Sequence, residues 1–154
     1  MKRRSFLKGT LAGSTVAIAA SAGLLAPSQV LAAWPKAAFE AKNIQDAIKG
    51  VAGTDATVAS ADIKIKAPDI AENGAVVPVT VSSTIAGAES IAIVIAKNGT
   101  PLAANFKLSS LAKGYVSTRV KMGKTSDVIA VVKAGGKVYS AKKEVKVTIG
   151  GCGG

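Results

Sequence analysis

From Ile63 onward the chain changes character at every second residue. "DIKIK" sets Ile63 and Ile65 against Lys64 and Lys66, and "VVPVTVSS" sets Val77, Val79 and Val81 against Pro78, Thr80 and Ser82. "YVSTRVKM" sets Val116, Thr118, Val120 and Met122 against Ser117, Arg119 and Lys121. Side chains alternate across a β-strand, so a period of two sends one set inward and the other to water. "ESIAIVIAK" departs from this rule: Ile91, Ile93 and Ile95 fall on one face, and Ala92, Val94 and Ala96 on the other. Both faces are apolar, so this strand is central or covered. Turn signals separate the runs at Asn73-Gly74, Asn98-Gly99 and Gly135-Gly136, the last closing a hairpin whose second strand ends at about Ile149. About seven short strands so punctuated predict an all-β fold, an immunoglobulin-like antiparallel β-sandwich. The Cys…Trp…Cys hallmark is absent, since Trp34 precedes the strands and Cys152 follows them. Pro78 cannot donate to a ladder and marks an edge strand or a bulge.

Ahead of the strands, "PKAAFEAKNIQDAIKGV" has helical spacing. Phe39, Ala41, Ile44, Ala47, Ile48 and Val51 fall near one face, and Lys42, Gln45, Asp46 and Lys49 elsewhere. One amphipathic helix is expected from Pro35 to Val51, closed by Gly50 and Gly53 and packed on the domain or on a partner.

The first 32 residues read as a twin-arginine export signal. Arg3 and Arg4 precede Ser5-Phe6-Leu7-Lys8, a mildly apolar stretch runs from about Leu11 to Leu25, and Val30-Leu31-Ala32 suits cleavage before Ala33. A membrane anchor is the alternative. The stretch is too short and too rich in Gly, Ala, Ser and Thr for that, since a span needs roughly 20 strongly apolar residues. The twin-arginine route moves folded proteins, which points to a cofactor or to export with a partner, and places the mature chain in a bacterial periplasm. The expected organisation is a signal (1–32), a helix-plus-sandwich domain (33–149) and a tail (150–154). With a bacterial signal, the sequon Asn98-Gly99-Thr100 has no force.

The formal charge is +11, and the signal holds four basic residues and no acidic ones, so about +7 remains after cleavage. Aromatic residues make up 4% of the chain, too few for a base-stacking surface, and no nucleic-acid partner is expected. The charge suits acidic partners or anionic substrates, or belongs to solvated lysines on strand faces. Histidine is absent and cysteine occurs once. This argues against a zinc, copper, haem or iron–sulfur site made by the chain alone, so no cofactor is expected. It excludes Cys–His and Ser–His catalytic pairs and any intrachain disulfide.

The one thiol, Cys152, stands in "TIGGCGG", between Gly150-Gly151 and Gly153-Gly154. Glycine's backbone freedom predicts a flexible, narrow arm, and five extended residues reach at most about 17 Å. A free thiol titrates near 8.5, and the terminal carboxylate nearby does not favour the thiolate. With no histidine to serve as base, Cys152 reads as a passive handle that other enzymes load. A prenylation signal needs the cysteine fourth from the end, and a lipoprotein cysteine follows the signal peptide. An intermolecular disulfide stays open.

The twin-arginine signal, "PDIAENGAVVPVTV", "STRVKM" and above all "VKVTIGGCGG" resemble the Y subunits of the Sox thiosulfate-oxidation carrier complex, over the whole chain. The resemblance implies a heterodimer with the Z subunit, which lacks its own signal and is exported alongside. It implies covalent attachment of sulfur substrates at Cys152, on a swinging arm formed by Gly150, Gly151, Gly153 and Gly154. It further implies that a c-type cytochrome conjugates thiosulfate, a hydrolase releases sulfate, and a sulfane dehydrogenase, where present, oxidises the remaining sulfur. The chain would then be a carrier and not an enzyme. Two other classes compete: a ubiquitin-like sulfur donor ending in Gly153-Gly154, and a structural protein cross-linked through Cys152. Export disfavours the donor, whose activation needs cytoplasmic ATP.

Overall fold

The computed structural model describes residues 35–148. Two short helices lead: α1 (Lys36–Glu40) and α2 (Ile44–Ala52). The strands that follow are β1 (Val58–Ala59), β2 (Ile63–Lys66), β3 (Ile70–Ala71), β4 (Val77–Ser83), β5 (Ala88–Ile95), β6 (Leu102–Lys107), β7 (Tyr115–Val120), β8 (Ser126–Ala134) and β9 (Lys137–Val147). Seven of them have four or more residues, while β1 and β3 are two-residue pairs. One sheet has the order β1-β9-β8-β5-β6, with β3 also on β9, and the other has the order β2-β4-β7.

The alternation seen in the sequence decides how the sheets meet. Ile63, Val77, Val79, Val81, Val116 and Val120 of the smaller sheet share one buried cluster with Ile91, Ile93, Ile95, Val128, Val132 and Val145 of the larger. This is the expected all-β, immunoglobulin-like sandwich. One refinement concerns strand direction. β1 and β3 run parallel to β9, whereas the other pairings are antiparallel. Both sit on the side of β9 away from β8, where they satisfy backbone groups that would otherwise stand open.

The doubly apolar strand finds its explanation in a third layer. Ala92 and Val94 of β5, Val131 of β8, Leu102 of β6 and Val138 of β9 form a second buried cluster with Ala38, Ala47, Ile48 and Ala52 of the helices. The helices therefore cover the outer face of the larger sheet, and residues 91–95 are buried on both sides. Of the two expected seats for the helical segment, the domain is the one occupied.

The single helix from Pro35 to Val51 is corrected to two. Asn43 is extended (φ −132°, ψ 162°) and caps α2, its Oδ1 accepting from Asp46 N–H at 2.8 Å. Asparagine satisfies an orphan helix donor best from a non-helical backbone, so it breaks the run there. Gly50 does not end the helix either, because it lies inside α2. Gly53 does end it, in the left-handed conformation at φ 86° with its N–H on Lys49 O at 2.9 Å.

Pro78 was read as an edge or bulge position, yet β4 is the middle strand of its sheet. The two facts agree locally. β2 stops opposite Thr80, so at Pro78 the strand has only β7 beside it, with Arg119 as partner. The Gly135-Gly136 hairpin forms as expected, with φ of 55° and 75°, the left-handed pair that a two-residue turn needs.

Gly50 is the contact between the helices: a Cβ built there falls 2.5 Å from Ala38 Cβ and 2.9 Å from Ala38 Cα. Gly50→Val therefore forces α1 off α2 and is expected to cost about 1–3 kcal/mol, as overpacking does. Denaturant unfolding of the two proteins measures this. An unchanged midpoint would show that the helices are not in register at Ala38.

Candidate functional site: the root of the C-terminal tail

Cys152 and its neighbours Gly150, Gly151, Gly153 and Gly154 lie outside the described residues, as do residues 1–32, where an export signal is expected, and Ile149. The strand expected to end at about Ile149 is β9, which is a strand to Val147, with Thr148 the last residue described. What can be built up from the residues is the anchorage from which the tail departs.

That anchorage is fastened on both edges. On the outer edge, Lys146 N–H donates to Asp69 O at 3.0 Å and Thr148 N–H to Ala71 O at 3.1 Å. Lys143 reinforces the same segment, its Nζ donating to Ala67 O at 2.6 Å and pairing with Asp69 Oδ1 at 3.0 Å. On the inner edge Thr125 extends the ladder with its side chain: Oγ1 accepts from Val147 N–H at 3.0 Å and donates to Val147 O at 3.5 Å. Beneath lies the Asn73-Gly74 turn, where Asn73 Oδ1 accepts from Ala75 N–H at 2.9 Å and Gly74 O from Met122 N–H at 2.7 Å. Gly74 is there for space. A Cβ would collide with Met122 O and come 2.8 Å from Val147 Cγ1.

The main chain is thus held in strand geometry to Thr148, and any reach of the tail is counted from a fixed point. The chain has no histidine and one cysteine. Among the described residues no group of three or more His, Cys, Asp or Glu is placed to hold a metal ion. What the described part offers a ligand is positive charge.

Nothing in the sequence singles out Thr125 or Lys143, and Asp69 stands there only within the segment "PDIAENGAVVPVTV". Asn73-Gly74 was read as a turn, but its packing under the tail root carries no local signal. Thr125 lies just ahead of β8, and only the register of β8 on β9 brings it to Val147.

The family described as sulfur oxidation protein SoxY matches residues 48–152, more than half of the chain. The solved structure of the sulfur carrier protein SoxY from Chlorobium limicola f thiosulfatophilum is 47% identical, with a TM-score of 0.64, covering 73% of this chain and 97% of that one. The chain belongs to the SoxY family. A superoxide reductase (neelaredoxin) from Ignicoccus hospitalis is 21% identical with a TM-score of 0.49, covering 56% of this chain and 80% of that one. No curated protein matches the chain. Within the SoxY match, the segment quoted above as "PDIAENGAVVPVTV" is the one that staples β9, through Asp69 and Ala71, and then turns at Gly74 into β4.

Thr125→Val keeps the shape of the clamp and removes its hydroxyl. Leaving Val147 N–H without its partner is expected to cost about 1–3 kcal/mol. Amide exchange at Val147 should accelerate while that at Val132, in the core of β8, follows only the global change. Exchange at Val147 that stays as slow as in the parent would contradict the clamp.

Proposed function

We propose that this SoxY-family chain is a covalent carrier of sulfur intermediates in thiosulfate oxidation, with Cys152 as the attachment point. The observation that carries the reading is the extent of the family match. It runs through residue 152, and that residue is the only cysteine in the chain. The relative with 47% identity is itself described as a sulfur carrier protein. The composition supports the same division of labour, since a chain with one thiol and no histidine cannot form a Cys–His catalytic pair of its own.

In this scheme the Cys152 sulfur is joined to the outer sulfur of thiosulfate. The new S–S bond forms with loss of the thiol proton to solvent and of two electrons, which the c-type cytochrome accepts. The adduct is then a thiol-linked chain of two sulfurs ending in a sulfonate. Water, directed by the hydrolase, takes the sulfonate off as sulfate with release of two protons and leaves the persulfide anion on Cys152. The sulfane dehydrogenase, where present, oxidises that sulfur further. Gly150, Gly151, Gly153 and Gly154 act as the swinging arm, narrow because glycine has no side chain. The Z subunit is the heterodimer partner, and the twin-arginine signal at 1–32 sends the pair to the periplasm. The carrier is acted on by its partners and is not an enzyme.

Cys152→Ser tests this directly. A hydroxyl cannot form the sulfur–sulfur bond, so thiosulfate-dependent electron flow in a reconstituted system should vanish. The melting transition should stay within about 0.5 kcal/mol of the parent, as for substitutions outside a core. Electron flow that persists in the serine variant would remove the carrier reading, because no second thiol exists to take over.

A further inference from the structure

A groove of about 700 Å³ opens beside the tail root and is lined by four lysines from three segments of the chain. Lys42 comes from the link between α1 and α2, Lys97 from the β5–β6 turn, and Lys121 and Lys124 from the β7–β8 connection. Among the described residues no carboxylate lines it. Among the described residues the ion pairs are Lys36–Glu40 and Lys143–Asp69, so none of the four is neutralised within the fold. Four exposed lysines on one groove give an anion several cationic donors to approach, and opposite charges attract.

The walls are built and not incidental. Asn98 Nδ2 donates to Lys121 O at 2.7 Å, and its Oδ1 accepts from Gly123 N–H at 3.1 Å, which ties the two turns together. Lys97 N–H donates to Ser126 Oγ at 3.0 Å, and Ser126 is 2% exposed. The backbones of Lys97 and Lys121 are therefore tied by the side chains of Ser126 and Asn98, and Lys124 lies between Gly123, tied to Asn98, and Thr125, tied to Val147.

The groove also lies next to the anchorage. Lys124 directly precedes Thr125, whose hydroxyl clamps Val147. From Thr148 to Cys152 is four residues, which span at most about 13–14 Å. An anion on the Cys152 sulfur adds further length, so the groove wall is within reach of a loaded tail.

We propose that this groove is an oxyanion site that holds the sulfonate end of the cargo while it is attached to Cys152; this rests on the reading of Cys152 given above. A lysine ammonium is a compact charge with three donors on a flexible stem, suited to a tetrahedral SO₃ group that arrives in variable orientation. Once the sulfonate leaves as sulfate, the remaining persulfide no longer carries the group the site recognises.

The test uses the full isotope-labelled chain with its thiol intact. Tetrathionate loads it without partner enzymes: the Cys152 thiolate displaces thiosulfate and keeps a sulfur–sulfonate group, and intact mass confirms the adduct. The readout is the amide shifts of Gly99 and Gly123. Loading should move both, and a Lys97→Gln/Lys121→Gln/Lys124→Gln variant, loaded equally, should lose the change. Free sulfate and thiosulfate, titrated into the unloaded chain against chloride of equal ionic strength, should move the same amides. Binding should weaken at least about tenfold in the triple variant, since each ammonium–anion contact at about 4 Å in water is worth roughly a factor of five. Shifts with free anion but none on loading would overturn the proposal, leaving a site for free oxyanions. No shift in either case, with turnover lost in the triple variant only when partner proteins are present, would overturn it in favour of an acidic protein surface. A chain that loads yet shows no groove shift sinks the groove alone and leaves the Cys152 reading to its own serine variant.

Discussion

The structure depends on one sheet being buried on both faces. In β5, residues 91–95 pack alternately into the smaller sheet and under the helices, and β8 does the same with Val128, Ala130 and Val132 on one side and Val131 on the other. Burying a Val or Ile side chain contributes about 1.5–3 kcal/mol, so a few such residues outweigh any single hydrogen bond, worth about 1 kcal/mol. This is why neither strand admits a charged residue in its middle. β9, paired with β8 from Lys137 to Val145, inherits a fixed position from that core and carries it to the tail root.

Placement follows from that arrangement. The turn after β5 and the connection before β8 gather Asn98, Gly123 and Thr125 on one end of the sandwich. The same end receives β9 and the Asp69–Ala71 staple. The proposed scheme gives the body, held as far as Thr148, and the glycine-flanked thiol two tasks that conflict within one element. Holding a fixed position needs buried contacts, and visiting several enzymes needs a thread without them. In the proposed scheme the body contributes position and charge, and the tail contributes the nucleophile.

Much of the fold is legible in the sequence because the period of two is a local property. The alternation at Val77–Val81 and Val116–Val120, the doubly apolar β5 and the Gly135-Gly136 hairpin all follow from residue type and spacing. The helical region is harder to read. Its apolar spacing continues through Ala41–Asn43, but Asn43 and Asp46 form a cap, and that short pattern outweighs the periodicity. Gly50 shows a similar limit. Glycine near a helix end reads as a stop, whereas here it admits Ala38, a contact made by another helix. β1 and β3 are two residues long and exist only because β9 offers an open edge, so nothing in their own sequence announces them. Of the candidate site, the thiol is legible from composition alone. The clamp on Val147 and the lysine groove are not, because each joins residues separated in sequence, Thr125 with Val147 and Lys42 with Lys97 and Lys121.

The central claim is that sulfur rides on Cys152. Mass spectrometry of the C-terminal peptide, from protein isolated out of cells oxidising thiosulfate, addresses it most directly. The peptide should carry sulfur-containing adducts on the Cys152 sulfur that a reductant removes, including one ending in a sulfonate. An unmodified thiol under turnover, or a modification found instead at the carboxylate of Gly154, would contradict the account.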